Sequence, residues 1–327
     1  MSGSSDAPRG GDASRRRDAL TWIALVVAAA ALGVIVWACV TAWGAIVHGH
    51  PAYAVLLGAA ALLAVLGVVV ALRGARRRTA ARVTGRILLL VAAAGGIAAL
   101  AWLRPYPAVE PALSAMQSDE AVTVVESADR IVFEPADAPS STAVFFQPGA
   151  LVDPRAYAAV LRPLAEAGHP VVIAKQPLGI AFLALGAFDD ARDVVPHADG
   201  WVIGGHSLGG TVAAMQADEH DEDTERRATG LILYASYPAD DISETLTTQV
   251  LSISGTEDGL ATPSKIADTA ATLPVDTEFL VLDGVSHAQF GSYGPQPGDG
   301  VPQVSDETAR TQISNASLDF VSSSTAG

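Results

Sequence analysis

The pentapeptide Gly205-His206-Ser207-Leu208-Gly209 is where side-chain types and spacing most directly suggest chemistry. An apolar run at 201–203 leads straight into it, and a stretch of helical spacing, 208–219, follows at once. A serine held on a sharp turn between a strand and a helix is the setting of a nucleophile elbow. The flanking Gly205 and Gly209 remove the Cβ atoms that such tight strand-to-helix packing would not accommodate. The helix start also lends partial positive charge to an oxyanion forming beside it. Ser207 is therefore the expected nucleophile.

A serine hydroxyl needs a base, and the base needs an orienting acid. Where such an elbow is used, the acid and then the histidine follow the serine along the chain. Only His220 and His287 lie beyond Ser207. His220 falls in the acidic run 218–225, at the far end of the elbow helix, whereas His287 follows an apolar strand in a loop. His287 is the expected base. His206 adjoins the serine but is read as structural. For the acid, Asp258 ends the strand-following stretch 253–258 just before a turn glycine. Its neighbour Glu257 is the alternative, and Asp283 is a weaker candidate near the histidine. Pro148-Gly149 after the apolar run 143–146 would turn the Ala150 N–H inward, where with the Leu208 N–H it would form an oxyanion hole.

These residues must be positioned by alternating elements. Short β-rich runs at 122–125, 131–133, 143–146, 171–174, 201–203, 231–234, 250–254 and 279–282 are interleaved with helical stretches at 154–167, 189–195, 208–219, 263–271 and 308–320. That alternation predicts an α/β fold with a doubly wound, mostly parallel sheet. Only a short connection separates 231–234 from 250–254, so no large cap is expected over the site. Residues 177–188 are unusually apolar, which suits an acyl pocket, a surface near a membrane or a buried helix.

Four ordered motifs carry a family resemblance. They are Phe146-Gln147-Pro148-Gly149-Ala150-Leu151-Val152-Asp153-Pro154, Gly204-Gly205-His206-Ser207-Leu208-Gly209-Gly210, Gly255-Thr256-Glu257-Asp258-Gly259 and His287-Ala288-Gln289-Phe290-Gly291-Ser292-Tyr293-Gly294. From about residue 143 to 300 the chain resembles the α/β-hydrolase fold family, in particular its small, cap-less, dienelactone-hydrolase-like serine hydrolases. The resemblance implies Ser207, Asp258 and His287 as a catalytic triad. Two positions depart from the pattern. Gln147 stands where aromatic or histidine residues are common, and the nucleophile is serine where the dienelactone enzymes use cysteine, so their substrate does not carry over.

The front of the chain has another character. From residue 19 to 72 there is no Lys, Arg, Asp or Glu, and about 20 residues suffice to cross a bilayer. His48-Gly49-His50-Pro51 is the natural break, giving expected spans at about 20–47 and 52–72, with a third at 87–103. Residues 1–18 are expected to be a disordered cytoplasmic tail, 104–121 a stiff linker, 122–321 the hydrolase-like domain and 322–327 a tail. Arginines cluster before the first span and between the second and third, with none between the first and second. The positive-inside rule then places the N-terminus in the cytoplasm and everything after residue 103 outside it, as a multi-pass cell-membrane protein. Small-residue patterns at 28–31 and 92–96 suit close helix contact.

Charge narrows the possibilities. Residues 1–103 hold 10 arginines and 3 acidic residues, whereas the remainder holds 10 basic and 32 acidic residues within a net charge of −15. Such an acidic domain disfavours nucleic acid. The single Cys39 excludes an intrachain disulfide and a thiolate metal cluster. No cofactor or metal is expected, and the acidic run 218–225 lacks the spacing of a calcium loop. The reading is a carboxylesterase-like serine hydrolase acting on a small-molecule or lipid-like ester outside the membrane. Acyl transfer to a cell-envelope acceptor, or a catalytically silent module retaining the fold, are the alternatives.

Overall fold

The computed structural model describes residues 19–73, 79–137 and 139–324. The expected tail at 1–18 and Arg76, Arg77 and Arg78 of the second arginine cluster lie outside the described residues, as do 325–327. The chain forms two compact units, Met1–Val36 with Leu57–Ala101, and Trp37–Leu56 with Trp102–Gly327.

Three helices open the chain: α1 (Ala19–His48), α2 (Ala52–Leu72) and α3 (Ala80–Trp102). Each is long and apolar enough to cross a membrane. α1 departs from helical geometry at Ala42, where φ is −142° and ψ is 27°. Large apolar side chains such as Val26, Leu63 and Leu89 are exposed, as in helices whose solvent is lipid. In the first unit Ala28 and Ala31 pack with Ala64, with Val68 and Ile97 alongside. The small-residue run 92–96 does not repeat this: a Cβ on Gly95 or Gly96 would meet nothing within 4 Å. The third helix begins at Ala80, earlier than residue 87, so Arg82 and Arg86 lie within it.

The second unit carries an eight-stranded sheet: β1 (Val122–Glu126), β2 (Arg130–Pro135), β3 (Thr142–Gln147), β4 (Val171–Ala174), β5 (Gly200–His206), β6 (Arg227–Tyr234), β7 (Gln249–Gly255) and β8 (Glu278–Leu282). The spatial order is β1-β2-β4-β3-β5-β6-β7-β8. β2 is antiparallel to β1 and to β4, and every other pairing is parallel. This is the α/β, doubly wound arrangement that the alternating elements predict.

Strand periodicity divides the core. Val144, Phe146 and Val202 join one buried cluster, whereas Phe145, Trp201 and Ile203 join the other, because successive side chains point to opposite faces. Helices α5 (Ala158–Glu166) and α9 (Asp306–Ser324) supply Leu161, Leu164 and Ile313 to the first cluster. Helices α6 (Ala187–Val194) and α7 (Leu208–His220) supply Phe188, Ala213 and Ala217 to the second. The closing helix runs through Ser324, so residues 322–324 continue it rather than forming a tail.

Residues 104–121 differ from the stiff linker that their prolines suggest. Tyr106 bridges to Val152, and the Val109 N–H donates to the Ser292 carbonyl. Ala112 is fully buried in the core. Proline restricts the backbone, but the apolar residues among and after the prolines pack against α5 and the turn at 154–157 once these exist.

Candidate active site

The parallel strands β3, β5, β7 and β8 end on one edge of the sheet, and the loops leaving them carry the expected site residues. β5 runs into Ser207, which has φ 52° and ψ −125°. A non-glycine residue with positive φ is strained, and here the surroundings over-determine it. The Ser207 N–H donates to the Tyr234 carbonyl at 3.0 Å, and the Ser236 hydroxyl donates to the Ser207 carbonyl at 2.6 Å. A Cβ on Gly205 would lie 2.5 Å from the Gly209 carbonyl carbon, and one on Gly209 would overlap the Gln147 and Pro148 backbone. Both elbow glycines are thus required by close approach.

β7 leads to Asp258 and β8 to His287, and the two side chains meet. His287 Nδ1 lies 2.8 Å from Asp258 Oδ2, and both side chains are almost wholly buried. The other carboxylate oxygen accepts the Leu260 and Ala261 N–H groups at 2.8 Å each. A carboxylate oxygen accepts, so Nδ1 is the donor of this bond and Nε2 is the nitrogen left over. His287 Nε2 is buried without a hydrogen-bond partner among the described residues, so no bond joins it to Ser207. Glu257 instead accepts from Gln303 Nε2 at 2.8 Å, and the exposed Asp283 accepts from the Thr256 hydroxyl. His220 pairs with Asp223 at 2.9 Å, at the opposite end of α7 from Ser207.

Four residues given no role in the sequence analysis hold these loops together. Asp299 accepts the N–H groups of Gly259, His287, Ala288 and Gly300, which ties the loop of Asp258 to the loop of His287. Burial pushes its carboxyl upward, but those four amides outweigh it and hold the pKa below the usual range. Ser286 and Gln289 form a capping box around the short turn that begins at His287. The only local signal for Asp299 is its place between two glycines.

Tyr157 is the fourth. The Gly149 N–H donates to its hydroxyl at 2.9 Å, and that hydroxyl lies 2.8 Å from His206 Nδ1. Burial raises the Tyr157 pKa, so it stays protonated and donates its own hydrogen to Nδ1. His206 is therefore neutral with its proton on Nε2. Burial, then the nearby His287, hold its pKa well below the ordinary histidine value. The His206 ring lies 4.5 Å from the His287 ring and stacks on Phe290. His206 thus joins the loop after β3, the elbow and the His287 loop. A Cβ on Gly149 would come within 2.6 Å of His206 Nδ1, which explains glycine there.

Because the Gly149 amide is occupied, the next one is left over. Neither the Ala150 N–H nor the Leu208 N–H donates to an acceptor among the described residues. Gln147, the departure from the family pattern, is fully buried and donates to the Ala184 carbonyl and Gln216 Oε1. It accepts from Gln176 Nε2 at 2.9 Å. Its amide therefore fastens the loop after β4 to the sheet rather than facing the elbow. Among the described residues no group of three or more His, Cys, Asp or Glu side chains could hold a metal ion. In the acidic run, Asp221 accepts from Thr247 and Asp223 pairs with Arg192.

Solved structures to which the chain is similar include a thermophilic esterase from Thermogutta terrifontis. It is 18% identical, with coverage of 61% of this chain and 90% of that one and a TM-score of 0.42. A monoacylglycerol lipase from Paleococcus ferrophilus is 14% identical, covering 62% and 99%, with a TM-score of 0.46. The esterase domain of a Rhodothermus marinus protein is 13% identical, covering 58% and 90%, with a TM-score of 0.46. No curated protein sequence matches the chain significantly. The family described as "Alpha/beta hydrolase family" matches residues 143–311, a stretch that begins in β3, takes in the elbow and both partner loops, and ends in α9. With more than half of the 327 residues matched, the chain belongs to the alpha/beta hydrolase family.

Proposed function

We propose that this chain is a serine hydrolase that cleaves a carboxylic ester through an acyl-enzyme, with Ser207 as nucleophile, His287 as base and Asp258 as orienting acid. The observation that carries the reading is the buried Asp258–His287 pair, whose Nε2 lone pair is unpartnered next to the elbow residue His206. As Ser207 Oγ adds to the ester carbonyl, Nε2 takes its proton. Asp258 remains ionised and stabilises the imidazolium. The free Ala150 and Leu208 amides receive the oxyanion, aided by the start of α7. His287 then returns the proton to the departing alcohol, and water repeats the sequence on the acyl-enzyme to release the acid. The short connection between β6 and β7 leaves room for that water.

A fluorescent fluorophosphonate tests the chemistry. Wild type should be labelled and Ser207→Ala should not; absent labelling of wild type, or equal labelling of both, would overturn the proposal.

The domain is further proposed to stand outside the cytoplasmic membrane, carried by α1, α2 and α3. Support comes from the arginine distribution and from Trp37, Trp43 and Trp102, which are exposed near the hydrolase side of the helices as an aromatic belt would be. Protease added to intact cells should reach the acidic domain, and protection of that domain would reverse the orientation.

A further inference from the structure

The loop between β4 and α6 has an unusual surface. Its backbone is pinned from beneath by buried amides: Gln147 Nε2 donates to the Ala184 carbonyl, and Gln216 Nε2 donates to the Leu185 carbonyl at 2.7 Å. The Leu151 N–H donates to the Gly179 carbonyl at 2.8 Å. With the chain fixed at these points, its apolar side chains are turned outward. Phe182, Leu183 and Leu185 are 43%, 54% and 49% exposed within four residues. A cluster of this kind on a water-facing surface loses free energy that burial would recover, and it marks a contact surface.

The position of this loop identifies the contact. His50, in the turn between α1 and α2, lines one cleft together with Pro177, Leu183 and Ala184. Gly49 and Tyr53 line a second with Leu178 and Gly179. The turn is fastened there. His48 Nδ1 lies 3.0 Å from Glu126 Oε2, and Lys175 Nζ donates to Glu126 Oε1 at 2.8 Å. A Cβ on Gly44 would lie 2.6 Å from the Arg155 guanidinium. Arg104 covers Trp37 at 4.8 Å and donates to the Thr41 hydroxyl. The apolar loop therefore lies beside the tip of a hairpin whose two helices are long and apolar enough to enter a bilayer.

The same loop adjoins the candidate oxyanion site. A Cβ on Gly179 would be 2.8 Å from Leu151 Cα, one residue from Ala150, and Gln176 Nε2 donates to the Pro148 carbonyl at 2.8 Å. Both Leu151 and Leu178 hold positive φ at this contact, 59° and 57°. A path over the exposed side chains thus leads from the hairpin tip to the loop after β3.

We propose that residues 177–186 rest on the lipid surface in which the chain's own helices sit, and that the substrate is a membrane-resident ester with a long acyl chain, taken up across this loop. The substrate half rests on the reading of Ser207 as nucleophile, and the surface half rests on α1 and α2 as spans.

The two halves can be tested separately on the full chain reconstituted in phosphatidylcholine vesicles. With Cys39→Ser as background, a nitroxide is attached through Phe182→Cys, and another through Val275→Cys at the fully exposed Val275. At 182 the nitroxide should be more accessible to oxygen than to a water-soluble nickel chelate, and at 275 the reverse. Equal nickel accessibility at both positions would overturn the surface assignment, whatever the chemistry of the site. For the substrate, the double variant Phe182→Asp, Leu185→Asp should lower hydrolysis of a vesicle-embedded long-chain fluorogenic ester about tenfold relative to soluble p-nitrophenyl acetate. An unchanged ratio would overturn the substrate class. If wild type hydrolysed neither ester and resisted fluorophosphonate, the hydrolase reading and the substrate half would fall together, and the nitroxide result would stand by itself.

Discussion

At Tyr157 one hydroxyl serves two neighbours, accepting from the Gly149 amide and donating to His206. Tyr157→Phe removes both bonds and leaves a buried amide and a buried ring nitrogen unpaired. Each buried polar group left unpaired costs about 1–3 kcal/mol. If this link aims the Ala150 amide at the oxyanion, the variant should lose about tenfold in kcat with little change in KM, measured on a soluble ester. A loss confined to thermal stability would show that the link only packs the core. The acid is also decided residue by residue. Asp258→Asn should lower kcat by about four powers of ten, because the amide no longer holds the imidazole with its lone pair toward the serine. Glu257→Gln, which touches only Gln303, should stay near wild type, and the reverse pattern would reassign the acid.

At the scale of elements, the proposed acid Asp258 and base His287 follow neighbouring strands β7 and β8, and the strands alone do not fix the two loops against each other. Asp299 does so through four backbone amides. Asp299→Ala should therefore lower kcat/KM by about a hundredfold while the far-UV spectrum stays that of wild type. Asp299→Asn keeps one acceptor oxygen and should fall between the two. Similar activity in all three proteins would mean that the capping box of Ser286 and Gln289 suffices. At the elbow strand, turn and helix are contiguous, and Tyr234 and Ser236 of the neighbouring strand and loop add one hydrogen bond each to Ser207.

For the molecule as a whole, His206 and Asp299 are among the groups whose depressed pKa values shape the response to acid. His206 is held well below the ordinary histidine value of about 6.5, so below that pH the unfolded chain binds a proton that the folded chain refuses. The stability it contributes is complete above about pH 6.5 and declines as the pH falls. Asp299 is depressed too; its contribution is complete above about pH 4 and is lost under more acid conditions. Urea midpoints measured from pH 8 to 3 should accordingly begin to drop below about 6.5, and His206→Gln should remove that first decline. Stability that rose from pH 7 to 5 would contradict the assignment.

Much of this protein is legible along the chain, for a physical reason. Ser207 and its elbow sit on a contiguous strand, turn and helix, each of which leaves a local pattern of apolar residues and glycines. The three apolar helices are read from length and composition, which backbone hydrogen bonding within a helix makes sufficient. The sheet follows from the alternation of these periods. What only the tertiary structure decided lies in contacts between distant segments. Asp258 and Glu257 are adjacent and chemically alike, and only the packing of their loop sends one to His287 and the other to Gln303. Tyr157 meets His206 across 49 positions, and Asp299 meets Gly259 across 40, so neither pairing leaves a periodic signal. Residues 104–121 look like a tether because of their prolines, yet the fold docks them and buries Ala108 and Ala112, since burial depends on the surfaces that other elements bring. His206 shows the same division: its place beside the serine is written in the sequence, and its bridging of three loops exists only once the chain has folded.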